Sequence, residues 1–177
     1  RTDDGAIVDH DYLTQITHVD LPAIAGARRD PIKVAALIRS LARNTATQAA
    51  VTTLAQDMAG ADGIADRGTV ADYLDALERL HIVEHQPAYS VALRSTRTLR
   101  TPPTRHLVDP SLEVASLPSA SPAALANDLN TFGFLFESLV VRDLRVLSQP
   151  LGGVVMHYRD DKDLEIDAVI GCPDGTV

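Results

Sequence analysis

A chain of 177 residues with 45% hydrophobic content is long enough for one ordinary domain or two small ones, and too apolar for a disordered segment. Its formal net charge of −8 repels a phosphate backbone as a whole, so any nucleic-acid contact has to be local. No apolar run approaches membrane-spanning length, no signal-peptide pattern opens the chain, and the single Cys172 cannot form an internal disulfide. The expectation is therefore a cytoplasmic protein with no membrane partner.

In chain order, the first stretch holds a short helical pattern around Tyr12, Leu13 and Ile16, followed by VDLPAIAGARRD, where Pro22 and Gly26 break the periodicity. Residues 1–30 read as a linker or docking tail. The chain begins at Arg1 rather than Met and ends just after a Pro-Asp-Gly turn that should lead into another strand, so a fragment of a longer protein is expected. From Pro31, a good first-turn residue, Val34, Leu37, Ile38 and Leu41 follow at helical spacing, ending near Asn44. Val51, Leu54, Ala55 and Met58 form a second, shorter amphipathic helix. Asp66 is placed to cap a third, with Val70, Tyr73, Leu74, Leu77 and Leu80 on its apolar face. Ile82 and Val83 switch to strand-type residues, and Leu107 with Val108 supply a returning strand.

Three short helices followed by a hairpin with a long loop is the order of a winged helix-turn-helix, expected over residues 31–110. Between Gln86 and Val108 the loop carries Arg94, Arg97, Arg100 and Arg105 and no acid, leaving twelve basic residues to face 24 acids elsewhere. These arginines are candidate phosphate or minor-groove contacts for DNA, or else partners for acidic protein surface. The third helix argues against major-groove readout: Asp72, Asp75 and Glu78 give it an acidic outer face.

HIVEH at residues 81–85 matches the H-x-x-E-H metallopeptidase pattern, but that chemistry needs one helix through all five residues. Ile82 and Val83 are β-branched, and an extended segment would hold His81 and His85 about 13 Å apart. A zinc peptidase is not expected. No G-x-x-x-x-G-K-[ST] or G-x-G-x-x-G motif supplies a phosphate cradle, and no nucleophile–histidine arrangement is suggested.

Beyond Asp109, Pro110 starts a short helix through Glu113 and Leu117, and LPSASPAALAND is a Pro/Ser-rich connection. FGFLFESLVVRDLRVL then reads as a helix with one acid, Glu137, among aliphatic and aromatic residues. After a Pro-Gly-Gly turn come two strand candidates, VVMHYR and LEIDAVI. Strict alternation along the second puts Asp163, Glu165 and Asp167 on one face. Carboxylates converging from a helix and a strand are hard-oxygen ligands for Mg²⁺ or Mn²⁺, and such an ion activates water for phosphodiester cleavage. The bland alternative is a solvated strand face beside a hydrogen-bonded core Glu. The only lysines are Lys33 and Lys162, so a cleavage site lacks its usual Lys within these residues.

The linker ending in ARRD, the module LIRSLARNTATQAAVTTLAQDMA…TVADYLDALERLHIVE, and the segments RHLVDPSL, GFLFESLVVRDL and YRDDKDLEIDAVI occur in an order that resembles the C-terminal region of prokaryotic AAA-type P-loop ATPases, a region classed as a domain of unknown function. The resemblance covers nearly the whole chain. It implies an upstream ATPase module that holds the ATP, then a winged helix, then a domain similar to the PD-(D/E)XK nuclease fold over residues 111–177, truncated at its C-terminus. In that fold the helix acid matches Glu137 and the strand acid Asp167, with Glu165 as a third candidate ligand for Mg²⁺. The following strand should carry an acid-x-Lys pair, and the sequence ends before it. Members of that nuclease superfamily that have lost activity are common, so fold alone does not establish catalysis.

The expected fold class is thus α+β, a winged helix followed by a truncated α/β module. The expected function is DNA or partner binding within an ATPase. The rival from another class is a non-catalytic interaction or homo-oligomerisation module, in which the arginine loop docks on the ATPase or a neighbouring subunit.

Overall fold

The computed structural model describes residues 3–21, 30–59, 65–90, 101–160, 162 and 164–177. Helix α1 (Asp3–Gln15) runs into a wider π-helical turn (Ile16–Asp20), followed by α2 (Pro31–Arg43), α3 (Val51–Asp57) and α4 (Arg67–Arg79). Strands β1 (Val83–Gln86) and β2 (Thr104–Leu107) come next, then α5 (Pro110–Ser116), α6 (Pro122–Asn127) and the long α7 (Leu129–Ser148). A 3₁₀ turn (Gln149–Leu151) leads into β3 (Val154–Arg159) and β4 (Glu165–Gly171). The mixture of helices with two small antiparallel sheets is the α+β class expected.

Capping explains where most helices begin. Asp30, Asp66, Asp109, Ser121 and Asp128 each accept a hydrogen bond from a backbone N–H in the first turn of α2, α4, α5, α6 and α7. Pro31, Pro110 and Pro122 occupy the first turn, where a missing N–H is harmless. Helix α4 stops in a reversed turn: His81 adopts φ 56°, its N–H reaches the Glu78 carbonyl, and the Ile82 N–H reaches that of Leu77. The HIVEH pattern therefore straddles a helix end and a strand, as its β-branched residues predict.

The apolar faces of α2, α3 and α4 close on one core containing Val34, Leu37, Leu41, Leu54, Val70 and Leu77, with Ile82, Val83 and Leu107 from the strands. Ile16 and Leu21, from the stretch read as a tail, also enter this core, as does Leu112 of α5. Helix α1 packs along α5, so the described part of residues 1–30 is structured and core-forming.

β2 starts at Thr104, three residues earlier than its apolar signal at Leu107, and all four of its residues are buried. On one side it pairs antiparallel with β1; on the other, Arg105 bridges Thr47 from the segment between α2 and α3. The chain after β1 continues alongside β3: the His157 N–H donates to the Pro87 carbonyl at 2.9 Å and the Tyr89 N–H to the His157 carbonyl. The two hairpins are thereby joined edge to edge. Helix α7 lies across β3, burying a narrow stripe of Leu135, Ser138, Val141 and Ser148. Among the described residues, no helix is long and apolar enough to cross a membrane.

Candidate functional site

Of the sequence-nominated residues, Glu137, Glu165 and Asp167 come together. Glu137 projects half-buried from α7, between the buried Leu135 and Ser138, and Glu165 and Asp167 are exposed on β4. Burial, then the Asp167 carboxylate, then that of Glu165 push the Glu137 carboxyl from its ordinary 4.5 up to about 7. A helix acid and two strand acids thus share one electrostatic environment with too little positive charge among them. Asp163 lies outside the described residues.

Strict alternation does not hold along β4. Val169 pairs with Met156 and Ile166 with Tyr158, so Asp167 and Ala168 together oppose the single His157. This β-bulge sits at Asp167 and re-aims the strand there, as bulges beside functional positions commonly do. A second restraint comes from Gln86, fully buried at the end of β1, whose Nε2 donates to the Asp167 carbonyl at 2.7 Å. With its amide nitrogen so engaged, Gln86 uses Oε1 as an acceptor, so the His106 Nε2 at 3.1 Å carries a proton. Burial, Arg145 and His157 hold the His106 pKa down to about 3, so this imidazole is neutral at physiological pH. The backbone of Asp167 is thus tied to the N-terminal unit through Gln86 and His106.

Glu165 lies 3.9 Å from the Arg159 guanidinium across the hairpin, which offsets part of its charge. Among the described residues, Asp167 has no comparable partner. The donor chemistry of Glu137 and Asp167 suits a hard divalent cation, and such a charge would relieve the repulsion that raises Glu137. The donor number is short: among the described residues, no group of three or more His, Cys, Asp or Glu side chains is close enough to hold a metal ion.

The arginine cluster divides. Arg94, Arg97 and Arg100 fall outside the described residues. Arg105 is not a loop residue; it lies on β2, 8% exposed, and its guanidinium donates to the Ala49 carbonyl inside the N-terminal unit. Helix α4 presents Asp72, Asp75 and Glu78 outward, and Glu78 approaches His85 at 3.7 Å.

Three joints between the halves of the chain carry no motif. They are the Gln86 bond to Asp167, the Arg145–Glu84 ion pair between α7 and β1, and the buried Glu113 of α5. Glu113 stands in RHLVDPSLE with nothing to distinguish it from a surface acid of a short helix. A cavity of about 460 Å³, lined in part by Arg39, Arg43, Leu117 and Thr131, includes none of the three carboxylates.

Fold and site define an α+β protein with an acidic patch where a long helix meets a bulged hairpin. Within that class, the chain belongs to the family Domain of unknown function (DUF8612), whose model matches residues 1–122. The match spans α1 through the start of α6, and the three carboxylates lie beyond it. No curated protein and no solved structure matches the chain.

Proposed function

We propose that this chain is the region of an AAA-type ATPase that follows its nucleotide-binding module, with a winged-helix unit and a nuclease-like α/β unit that holds a divalent cation. ATP belongs to the upstream module; the cation here is Mg²⁺, on Glu137 and Asp167 with Glu165 beside them. The observation that carries this reading is the convergence of a half-buried helix acid and two strand acids at a β-bulge. The helix order, the β1–β2 hairpin and the extended Thr47 segment beside β2 support the winged-helix assignment. Nuclease activity is not part of the proposal, because the chain's lysines are Lys33 and Lys162, and neither stands two residues after one of the three acids as an acid-x-Lys pair requires.

Titration calorimetry with Mn²⁺, a close substitute for Mg²⁺, tests the cation site. The reading expects heat of binding in the wild-type chain that disappears in Glu137→Gln and Asp167→Asn. Equal binding in all three proteins, or none in the wild type, refutes it.

DNA contact, on this reading, comes from Arg94, Arg97 and Arg100, not from α4. It expects a gel shift that weakens steeply with salt and is lost when the three become Ala. The second reading, a protein-interaction or oligomerisation module, is favoured by one specific observation: α4 presents acids outward while Arg105 is withdrawn into the fold. Absence of any shift at low salt selects it.

A further inference from the structure

Glu113 is fully buried, and its carboxyl sits where three elements meet. Its Oε1 accepts from the Thr45 hydroxyl at 2.5 Å, from the Ser138 hydroxyl of α7 at 2.8 Å and from the Leu107 N–H of β2 at 3.0 Å. Its Oε2, equally buried, has no hydrogen-bond partner. One oxygen thus gathers three donors and the other faces none. A carboxylate would leave part of its charge on that bare oxygen in a low-dielectric interior, whereas a carboxylic acid carries its proton there and removes the charge, with weaker bonds to Oε1 as the smaller cost.

We propose that Glu113 is a proton-dependent latch that fastens α7 to the N-terminal unit when it is protonated and loosens that joint when it ionises.

The surroundings give little compensation for a charge. Thr45 and Ser138 are neutral donors, and the only charged group acting on Glu113 appreciably is Asp109, which disfavours ionisation further. From α7, Arg142 is engaged by Asp109 at 3.7 Å and by Asp143 at 2.9 Å. From β2, His106 is turned to Gln86 and neutral, and Arg105 is turned to Ala49. No ion pair of Glu113 with α1 or α2 is present among the described residues. Burial, only partly offset by the three hydrogen bonds, moves the carboxyl from 4.5 to about 7. The latch therefore titrates in the physiological range, and Ser138 connects it to the helix that bears Glu137.

The sign follows from linkage. The folded chain keeps this proton up to about pH 7, while the unfolded chain releases it near 4.5. Between those values the folded state binds more protons, so this contribution to stability falls as pH rises. Glutamine keeps the acceptor at Oε1 and mimics the protonated form at every pH.

Thermal unfolding of the parent chain and of Glu113→Gln, followed from pH 5 to pH 8.5, provides the test, read as the difference in Tm between the two. Subtracting the curves cancels the contributions of Glu137 and the histidines. The latch predicts a difference that shifts steadily in favour of Glu113→Gln as pH rises from 5 and levels off above pH 8. A difference independent of pH overturns it. If Glu113→Gln does not fold, hydrogen exchange on the unsubstituted chain decides, after correction for intrinsic rates. Faster opening of the Leu107 amide and of the α7 segment around Ser138 at pH 8 than at pH 6 supports the latch, and unchanged protection contradicts it.

Discussion

The N-terminal unit and the α7–β4 unit are built from similar proportions of apolar residues and use them differently. In the first, the side chains of α2, α3, α4 and β1 converge on a continuous core, in which Val34, Leu37, Leu54, Val70 and Leu77 are fully buried. In the second, Leu135, Val141 and Val155 are buried, while Phe132, Phe136, Leu147 and Ile166 remain exposed. The N-terminal unit is held by apolar burial at roughly 25 cal/mol per Å². The C-terminal unit is held more by a few polar joints to its neighbour, through Gln86, Glu113, Arg145 and the Pro87–Tyr89 backbone.

Substitutions sharpen that contrast, beginning with the largest effect. Leu37→Ala empties a fully buried position, and chemical denaturation should show a loss of about 2–5 kcal/mol, with both units unfolding together. Gln86→Ala leaves the Asp167 carbonyl and His106 without their partner, a cost of about 1–3 kcal/mol. Limited proteolysis of that variant should cut first in β4, not in α2–α4; uniform cleavage would contradict the polar-joint account. Glu137→Gln removes a carboxyl whose folded pKa is raised, so its unfolding midpoint relative to the parent should improve as pH rises from 4.5 to about 7. A midpoint difference constant with pH would mean that neither burial nor the Asp167 and Glu165 carboxylates raise the Glu137 pKa in the folded chain. The smallest effect belongs to Leu147→Gln, at a position 72% exposed, where stability should change by no more than about 0.5 kcal/mol. A large loss there would mean that the exposed apolar side chains of α7 are covered in solution.

Periodicity and caps made most helices legible. Asp30-Pro31, Asp66 and Asp109-Pro110 announce their helices because capping is local chemistry, and the α2 and α4 stripes follow because one face must be buried. Ile82 and Val83 likewise marked the end of α4, and the structure closes that helix with His81 in a left-handed conformation. The start of β2 was hidden because Thr104, Arg105 and His106 carry no apolar signal. They are buried nonetheless, Arg105 donating to the Ala49 carbonyl and His106 bonded to Gln86. The bulge at Asp167 was illegible for a related reason. Period-2 patterning describes an unbroken ladder, and this one is interrupted where β3 also pairs with residues 87–89.

For the site, the residue types were legible and the supports were not. Glu137 stood out as an acid in apolar surroundings and Asp167 through the nuclease resemblance, and the Asp167 carboxylate helps to raise the Glu137 pKa. Glu113 and Gln86 had no such signal. Their importance comes from partners 68, 25 and 81 residues away in sequence, which only the assembled fold reveals.

The most direct test of the central claim, that Glu137 and Asp167 form a strained carboxylate pair able to take a divalent cation, is an NMR titration of the Glu137 side-chain carboxyl with and without Mg²⁺. The account predicts a midpoint near pH 7 in the free chain, displaced downward when Mg²⁺ is added, and a lower midpoint in Asp167→Asn that burial still holds above 4.5. A midpoint near 4.5 that neither Mg²⁺ nor Asp167→Asn moves would contradict it.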